Sequence, residues 1–164
     1  MEKANDFEHL IKMIADLLSV NDTVYYDVET LEYDGILDNL LWEYEDYLEL
    51  SDEDIAKIPD EELRDWQRDT AIALKRSLQL KSHIDKPHSS IAFRWMEAFT
   101  EDHADNQKFF RDAIKALRNR HPFRGFRAAL DWNGLTDEWY PFRDTKMQDY
   151  VRKEIEPINE DDIE

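Results

Sequence analysis

Apolar residues recur three and four positions apart along most of this chain, and that spacing limits what it can fold into more than any motif does. A 3.6-residue period aligns such residues on one face of a helix, and that face must then be covered. If residues 6–19 are helical, Phe7, Leu10, Ile11, Ile14, Leu17 and Leu18 share a face, and Asp6 stands where a cap belongs. In residues 36–50, Ile36, Leu37, Leu40, Leu41, Tyr44, Tyr47 and Leu48 share one side of a second helix. A short turn follows Ser51, which begins a capping-box pattern, and Pro59 closes it. A longer helix is expected over 60–82, capped by Asp60, with Leu63, Trp66, Thr70, Ala73, Leu74 and Leu78 inward.

After a connector from Lys81 to His88, the second half continues the pattern. Ser89 or Ser90 can cap a helix over 90–100, and 105–119 forms another with Phe110, Ala113, Ile114 and Leu117 inward. Pro122 opens a short helix, since proline in a first turn loses no helical hydrogen bond. Asp131 to Gly134 turns the chain into a last helix over 136–156, expected to bend near Pro141. These stripes predict that Trp95, Phe99, Phe110, Ile114, Phe126, Leu130 and Trp139 meet in one cluster.

One segment breaks the helical period. Thr23 to Val28 is β-branched and aromatic, which favours a strand; Glu29 and Thr30 would turn it, Leu31 to Tyr33 would return, and Gly35 would end the unit. With 164 residues, enough for a core, the expectation is a mostly α fold. It would be a single domain over 1–158 with six or seven helices and one small β-hairpin. An acidic tail would follow over 159–164.

The stretch from Pro122 to Leu130, followed by Glu138-Trp-Tyr-Pro-Phe-Arg-Asp144, resembles a bacterial family known as uncharacterised protein family zero-one-five-eight. Its members are similar in an aromatic-Arg-x-Phe-basic stretch and a following Trp-aromatic-x-Phe. Phe93 to Phe99 looks like the helix that precedes that block, and Tyr26-Asp-Val-Glu-Thr30 like the family's N-terminal hairpin. The resemblance covers roughly 20–36 and 87–156. Leu31 departs from it, standing where the family places a turn glycine and so arguing against a tight positive-φ turn there. Residues 37–86 look like an acidic helical insertion relative to shorter members. The resemblance implies an α-rich fold with a small β element and assigns no activity.

Charge is the second constraint. The formal net charge is −18, which keeps a chain soluble and repels nucleic acid and anionic membranes in general. It is unevenly spread, at −15 over residues 1–85 and −3 over 86–164. Residues 27–54 hold 12 acids and no Lys or Arg. On the helix over 36–50, Asp38, Glu43, Glu45, Asp46 and Glu49 share the polar side, and Trp42 falls among them. An exposed Trp within a charged face is a typical anchor for a partner, whereas a small rotation would bury it. In contrast, Lys108, Arg111, Lys115, Arg118, Arg120, Arg124 and Arg127 face one acid, Asp112, across 108–127. Such a segment can neutralise phosphates. In a chain with this acid excess it can equally pair with its own carboxylates, the reading expected for Arg124 and Arg127.

Motifs for chemistry are sparse. His9, His83, His88, His103 and His121 show no metal-ligand spacing, and the acidic runs lack an EF-hand's central glycine. Cysteine is absent, no Gly-x-Ser-x-Gly occurs, and three scattered glycines build no phosphate loop. No cofactor or metal is expected. The N-terminal residues carry Glu2, Asp6, Glu8 and Asp16 among their apolar positions, so a cytoplasmic chain without a membrane span is expected. The sequence therefore points to a non-catalytic interaction protein that meets a basic partner through Trp42, Glu43, Glu45, Asp46 and Glu49. Nucleic-acid binding through Lys108, Arg111, Lys115, Arg118, Arg124 and Arg127 comes second, and an enzyme of unidentified type third.

Overall fold

The computed structural model describes residues Met1–Glu156; the acidic tail expected over 159–164 lies outside them. The fold is mostly α, with eight α-helices and a small antiparallel sheet among the described residues. The described residues divide into two compact units, one over Met1–Lys86 and a second that begins at Pro87.

In the first unit, four strands assemble in the order β1-β3-β2-β4, all antiparallel. They are β1 (Glu2–Lys3), β2 (Thr23–Tyr26), β3 (Glu32–Ile36) and β4 (Ser82–Asp85). The expected hairpin is its centre, with Thr23 opposite Ile36 and Tyr26 opposite Tyr33. Gly35 does not end the unit; it lies inside β3 opposite Val24. The connector proposed for 81–88 contains β4. Its four residues include one apolar side chain, Ile84, too little for a period-two signal, and pairing with β2 is what makes it a strand.

Side chains alternate across this sheet, and helices cover both faces. Val24, Tyr26 and Tyr33 are buried on the side of α1 (Phe7–Leu18), which lies against β2 and β3 and buries Leu10, Ile11, Ile14, Ala15 and Leu18. Asp6 caps α1 as expected, its carboxylate accepting from the His9 N–H at 2.7 Å. On the other face Ile36 joins Tyr44, Ile55, Leu63, Ala71 and Leu74 in a core cluster. Ala71 and Leu74 come from α4 (Asp65–Leu78), and Ile55 from α3 (Asp52–Ala56), which Ser51 caps through the Asp54 N–H at 3.1 Å.

Helix α4 is shorter than the predicted 60–82. Asp60 is not its cap; with Asp65 it receives the Arg68 guanidinium, which also donates to the Ile58 and Leu63 carbonyls at 2.6 Å each. Arg68 thus ties down a loop that the period alone made helical. Trp66 and Ala73, expected inward, are exposed, because α4 buries only the narrow stripe of Ala71, Leu74 and Ser77.

The hairpin turn is built without glycine. Asp27, itself buried, accepts from the Glu29 N–H at 2.8 Å, and its carbonyl accepts from the Leu31 N–H at 2.8 Å. Leu31 then adopts φ 64°, the left-handed conformation that its identity argued against. For a residue with a Cβ that conformation costs roughly 1–2 kcal/mol. The Leu31 carbonyl accepts from the Ala4 N–H at 2.8 Å, so the same turn continues the β1 edge.

The second unit is a group of four helices: α5 (Ser89–Asp102), α6 (Gln107–Leu117), α7 (Pro122–Asn133) and α8 (Thr136–Ile155). His88, rather than either serine, caps α5, its ring accepting from the Ser90 N–H at 3.1 Å. Phe99 sits at the centre. Its ring lies 5.8 Å from Phe109, 6.3 Å from Phe126, 5.3 Å from Trp139 and 5.3 Å from Phe142, all edge-on. Edge-to-face geometry is the favourable one for aromatic quadrupoles.

Phe99, Phe126, Leu130 and Trp139 meet as predicted, but Trp95, Phe110 and Ile114 are not buried members of the cluster. Helix α6 is turned so that Phe109, Ala113 and Ala116 face inward. The reason is the approach of α7: a Cβ placed on Gly125 would lie 3.1 Å from the Ala116 Cβ, so small residues must meet there. Phe109→Ala is therefore expected to cost about 3–5 kcal/mol in urea melts, as for a buried ring truncated in a core. Phe110→Ala should cost no more than about 1–2 kcal/mol. Equal losses would show that the two rings share the core.

Candidate functional site

The acidic surface belongs to the first unit. The helix expected over 36–50 is broken into α2 (Asp38–Glu43) and a single 3-10 turn over Glu45–Tyr47. No basic side chain occurs there to offset the carboxylates, and like charges at helical spacing repel. The division into faces survives the break except at Leu37, which was expected on the apolar side and is exposed. Tyr44 is 2 % exposed and packs with Leu40 and Leu41 on the core cluster, while Trp42 is 83 % exposed. Glu43, Glu45, Asp46 and Glu49 are exposed around it.

What holds this surface is remote in sequence. Leu37 offers α2 no side-chain cap; Asp22 accepts from the Asp38 N–H at 2.8 Å and takes the Lys86 ammonium at 2.8 Å. The Lys86 ammonium and the Asp38 N–H hold the Asp22 carboxyl below its ordinary value. One carboxylate thus joins the start of α2 to the residue after β4. No local sequence signal pairs Asp22 with Asp38, since the two are sixteen residues apart.

The basic surface belongs to the second unit. Lys108, Arg111, Lys115 and Arg118 are exposed along α6 and its C-cap, and Arg120, Arg124 and Arg127 are exposed beyond it. The pairing expected of Arg124 and Arg127 with the chain's own acids is not found among the described residues, where neither has an ion pair. The same holds for the other five cations. The segment's one acid, Asp112, is turned to α7, where it accepts from the Asn133 amide at 3.0 Å. The first unit differs, for Arg68, Lys75, Lys81 and Lys86 all meet carboxylates. Despite the chain's acid excess, the α6 cations meet no carboxylate among the described residues.

Phe110 and Ile114, displaced from the core, lie half-buried among these cations. With the stems of Arg111, Lys115 and Arg118 they form a shallow depression on α6. Sequence reasoning missed this because two adjacent phenylalanines cannot share one helical face, and the hydropathy pattern favoured the wrong one.

Among the histidines, His103 is the one held on both ring nitrogens. Its ring stacks on Phe99 at 4.1 Å, with Nδ1 2.9 Å from the Phe99 carbonyl and Nε2 3.0 Å from the Glu138 carboxylate. Two acceptors suit the imidazolium, which donates from both nitrogens. Among the described residues no three His, Asp or Glu side chains gather as metal ligands, and no helix is long and apolar enough to cross a membrane.

Comparison with family models, curated proteins and solved structures finds no match to this chain.

Burial alone would lower the His103 pKa, but the Phe99 carbonyl and the Glu138 carboxylate outweigh it and hold the value above that of an ordinary histidine. The stabilisation is then fully present below the unfolded value of about 6.5 and is lost as pH rises through the higher folded value. An NMR titration is expected to place the His103 midpoint above about 6.5, and Glu138→Gln to bring it down. A midpoint indifferent to Glu138→Gln would exclude the pair as the cause.

Proposed function

We propose that the protein is a non-catalytic, cytoplasmic interaction protein that binds a basic protein partner through the face around Trp42. The observation that carries this reading is the exposure of the Trp42 indole, 83 %, among four exposed carboxylates. A large aromatic held in water gains nothing for folding, whereas it supplies contact area when a partner covers it. Burial of Tyr44 two residues on supports the reading further, because the helix is seated by Tyr44, Leu40 and Leu41 and Trp42 is free of that task. Carboxylates on both sides would steer a cationic surface and speed encounter, while the indole would slow departure.

Changing Glu43, Glu45, Asp46 and Glu49 to Gln is expected to slow association with partners captured from nuclease-treated lysate and to flatten its salt dependence. Trp42→Ala is expected to raise the dissociation rate, at a cost of about 2 kcal/mol or more for an anchor of this kind. Neither change should shift the urea midpoint appreciably. If Trp42→Ala unfolds the protein, or the four-Gln variant captures the same partners at the same rates, the acidic face is solvated surface alone.

A further inference from the structure

Helices α5 and α6 carry the same pattern of positions on the sides that face a common groove. From α5 come Phe93, Glu97, Thr100 and Glu101; from α6 come Phe110, Ile114, Leu117 and Arg118. Both sets follow the i, i+4, i+7, i+8 spacing of one helical face, begin with a phenylalanine and end with a charge. The groove encloses about 220 Å³. Its apolar floor is half-buried, and its charged side chains are exposed.

We propose that this groove receives an amphipathic helix of another protein, whose apolar seam is flanked by acids on one side and by bases on the other. The floor sets the shape of the ligand. Eight residues of helix rise about 12 Å, so each wall spans about two turns, enough for apolar anchors on successive turns of a bound helix. The rims set its charge. The α5 rim is acidic through Glu97 and Glu101. The α6 rim is basic through Arg118, with Arg111 and Lys115 in the adjoining depression. None of these five side chains has an ion pair among the described residues, so their charge is available to a ligand.

Opposite rims also exclude the simpler ligands. A phosphate backbone would gain at the α6 cations but would bring like charge against Glu97 and Glu101, which line the same groove. A uniformly acidic peptide meets the same penalty, and a uniformly basic one meets it on the other rim. A seam with unlike flanks satisfies both rims, and the repulsion of like-flanked competitors supplies specificity.

The probe is a fluorescein-labelled peptide of about fifteen residues, with leucines alternately three and four apart, glutamates on one flank and lysines on the other, titrated against the full chain by anisotropy. Saturable binding is expected, tighter than that of matched peptides with two glutamate or two lysine flanks. Ile114→Glu should weaken it about tenfold or more. Arg111→Glu with Arg118→Glu, both at exposed positions, should weaken it similarly, and the peptide with two lysine flanks should then become the preferred ligand. That exchange keeps the test decisive even if Ile114→Glu fails to fold. Trp42→Ala should leave peptide binding unchanged, so this site and the acidic face stand or fall separately. Absence of saturable binding overturns the proposal, as does indifference to the double variant. Tighter binding of a single- or double-stranded oligonucleotide than of the mixed-flank peptide would overturn it too and mark the α6 rim as a phosphate-binding surface.

Discussion

The second unit depends on the Phe99 ring. Four aromatic rings from three other helices meet its edge or face, and the His103 ring stacks on it. Ring-on-ring geometry is specific, so these contacts fix the rotation of each helix as well as its proximity. For α6 the consequence is decisive. Phe109 must point inward to reach Phe99, Ala113 and Ala116 follow it, and Ala116 meets Gly125 of α7. Phe110, Ile114 and Leu117 are left to form one wall of the surface groove. The groove is a product of core packing.

In the first unit the equivalent role falls to a sheet covered on both faces. Val24 and Tyr26 are buried beneath α1, while Ile36 belongs to the cluster shared with α4. Ile36 and Tyr44 bracket α2, and both are buried in that cluster. With its ends seated this way and its start satisfied by Asp22, a helix of six residues has little freedom to turn Trp42 inward. The exposure of the indole thus follows from the anchoring of its neighbours.

Much of this was legible in the sequence. The caps at Asp6 and Ser51, the proline start of α7 and the Gly134 turn follow from local chemistry and occur as expected, and so does a hairpin, although its first strand ends at Tyr26 instead of Val28 and its second runs over Glu32–Ile36. Where local signals lost, a contact distant in sequence had won. Ile84 forms a strand because Val24 offers it an edge. Asp60 serves Arg68 instead of a helix start. Leu31 accepts a left-handed backbone because Asp27 and Ala4 bond the turn around it. On α6, hydropathy placed Phe110 and Ile114 inward beside Ala113, whereas the core took Phe109 and close helix packing took Ala116. The two charged surfaces could be named from composition, but the groove between α5 and α6 could not, since it needs both helix rotations at once.

Net charge and local charge then act at different ranges. At −18 the chain repels anionic molecules from afar, and the −15 carried by residues 1–85 dominates that field. Salt screens it beyond roughly 8 Å, so it governs encounter more than residence. At contact distance the local arrangement takes over, and there the second unit differs from the whole chain: among the described residues its α6 cations have no ion pair, while Glu97 and Glu101 stand across the groove. A polyanion is therefore disfavoured twice, at long range by the net field and at short range by one rim. A helix carrying both signs has little net charge for the distant field to act on and still finds complementary rims on arrival. On the groove proposal, the uneven charge of this chain would select against the ligand that a reading of 108–127 alone suggests.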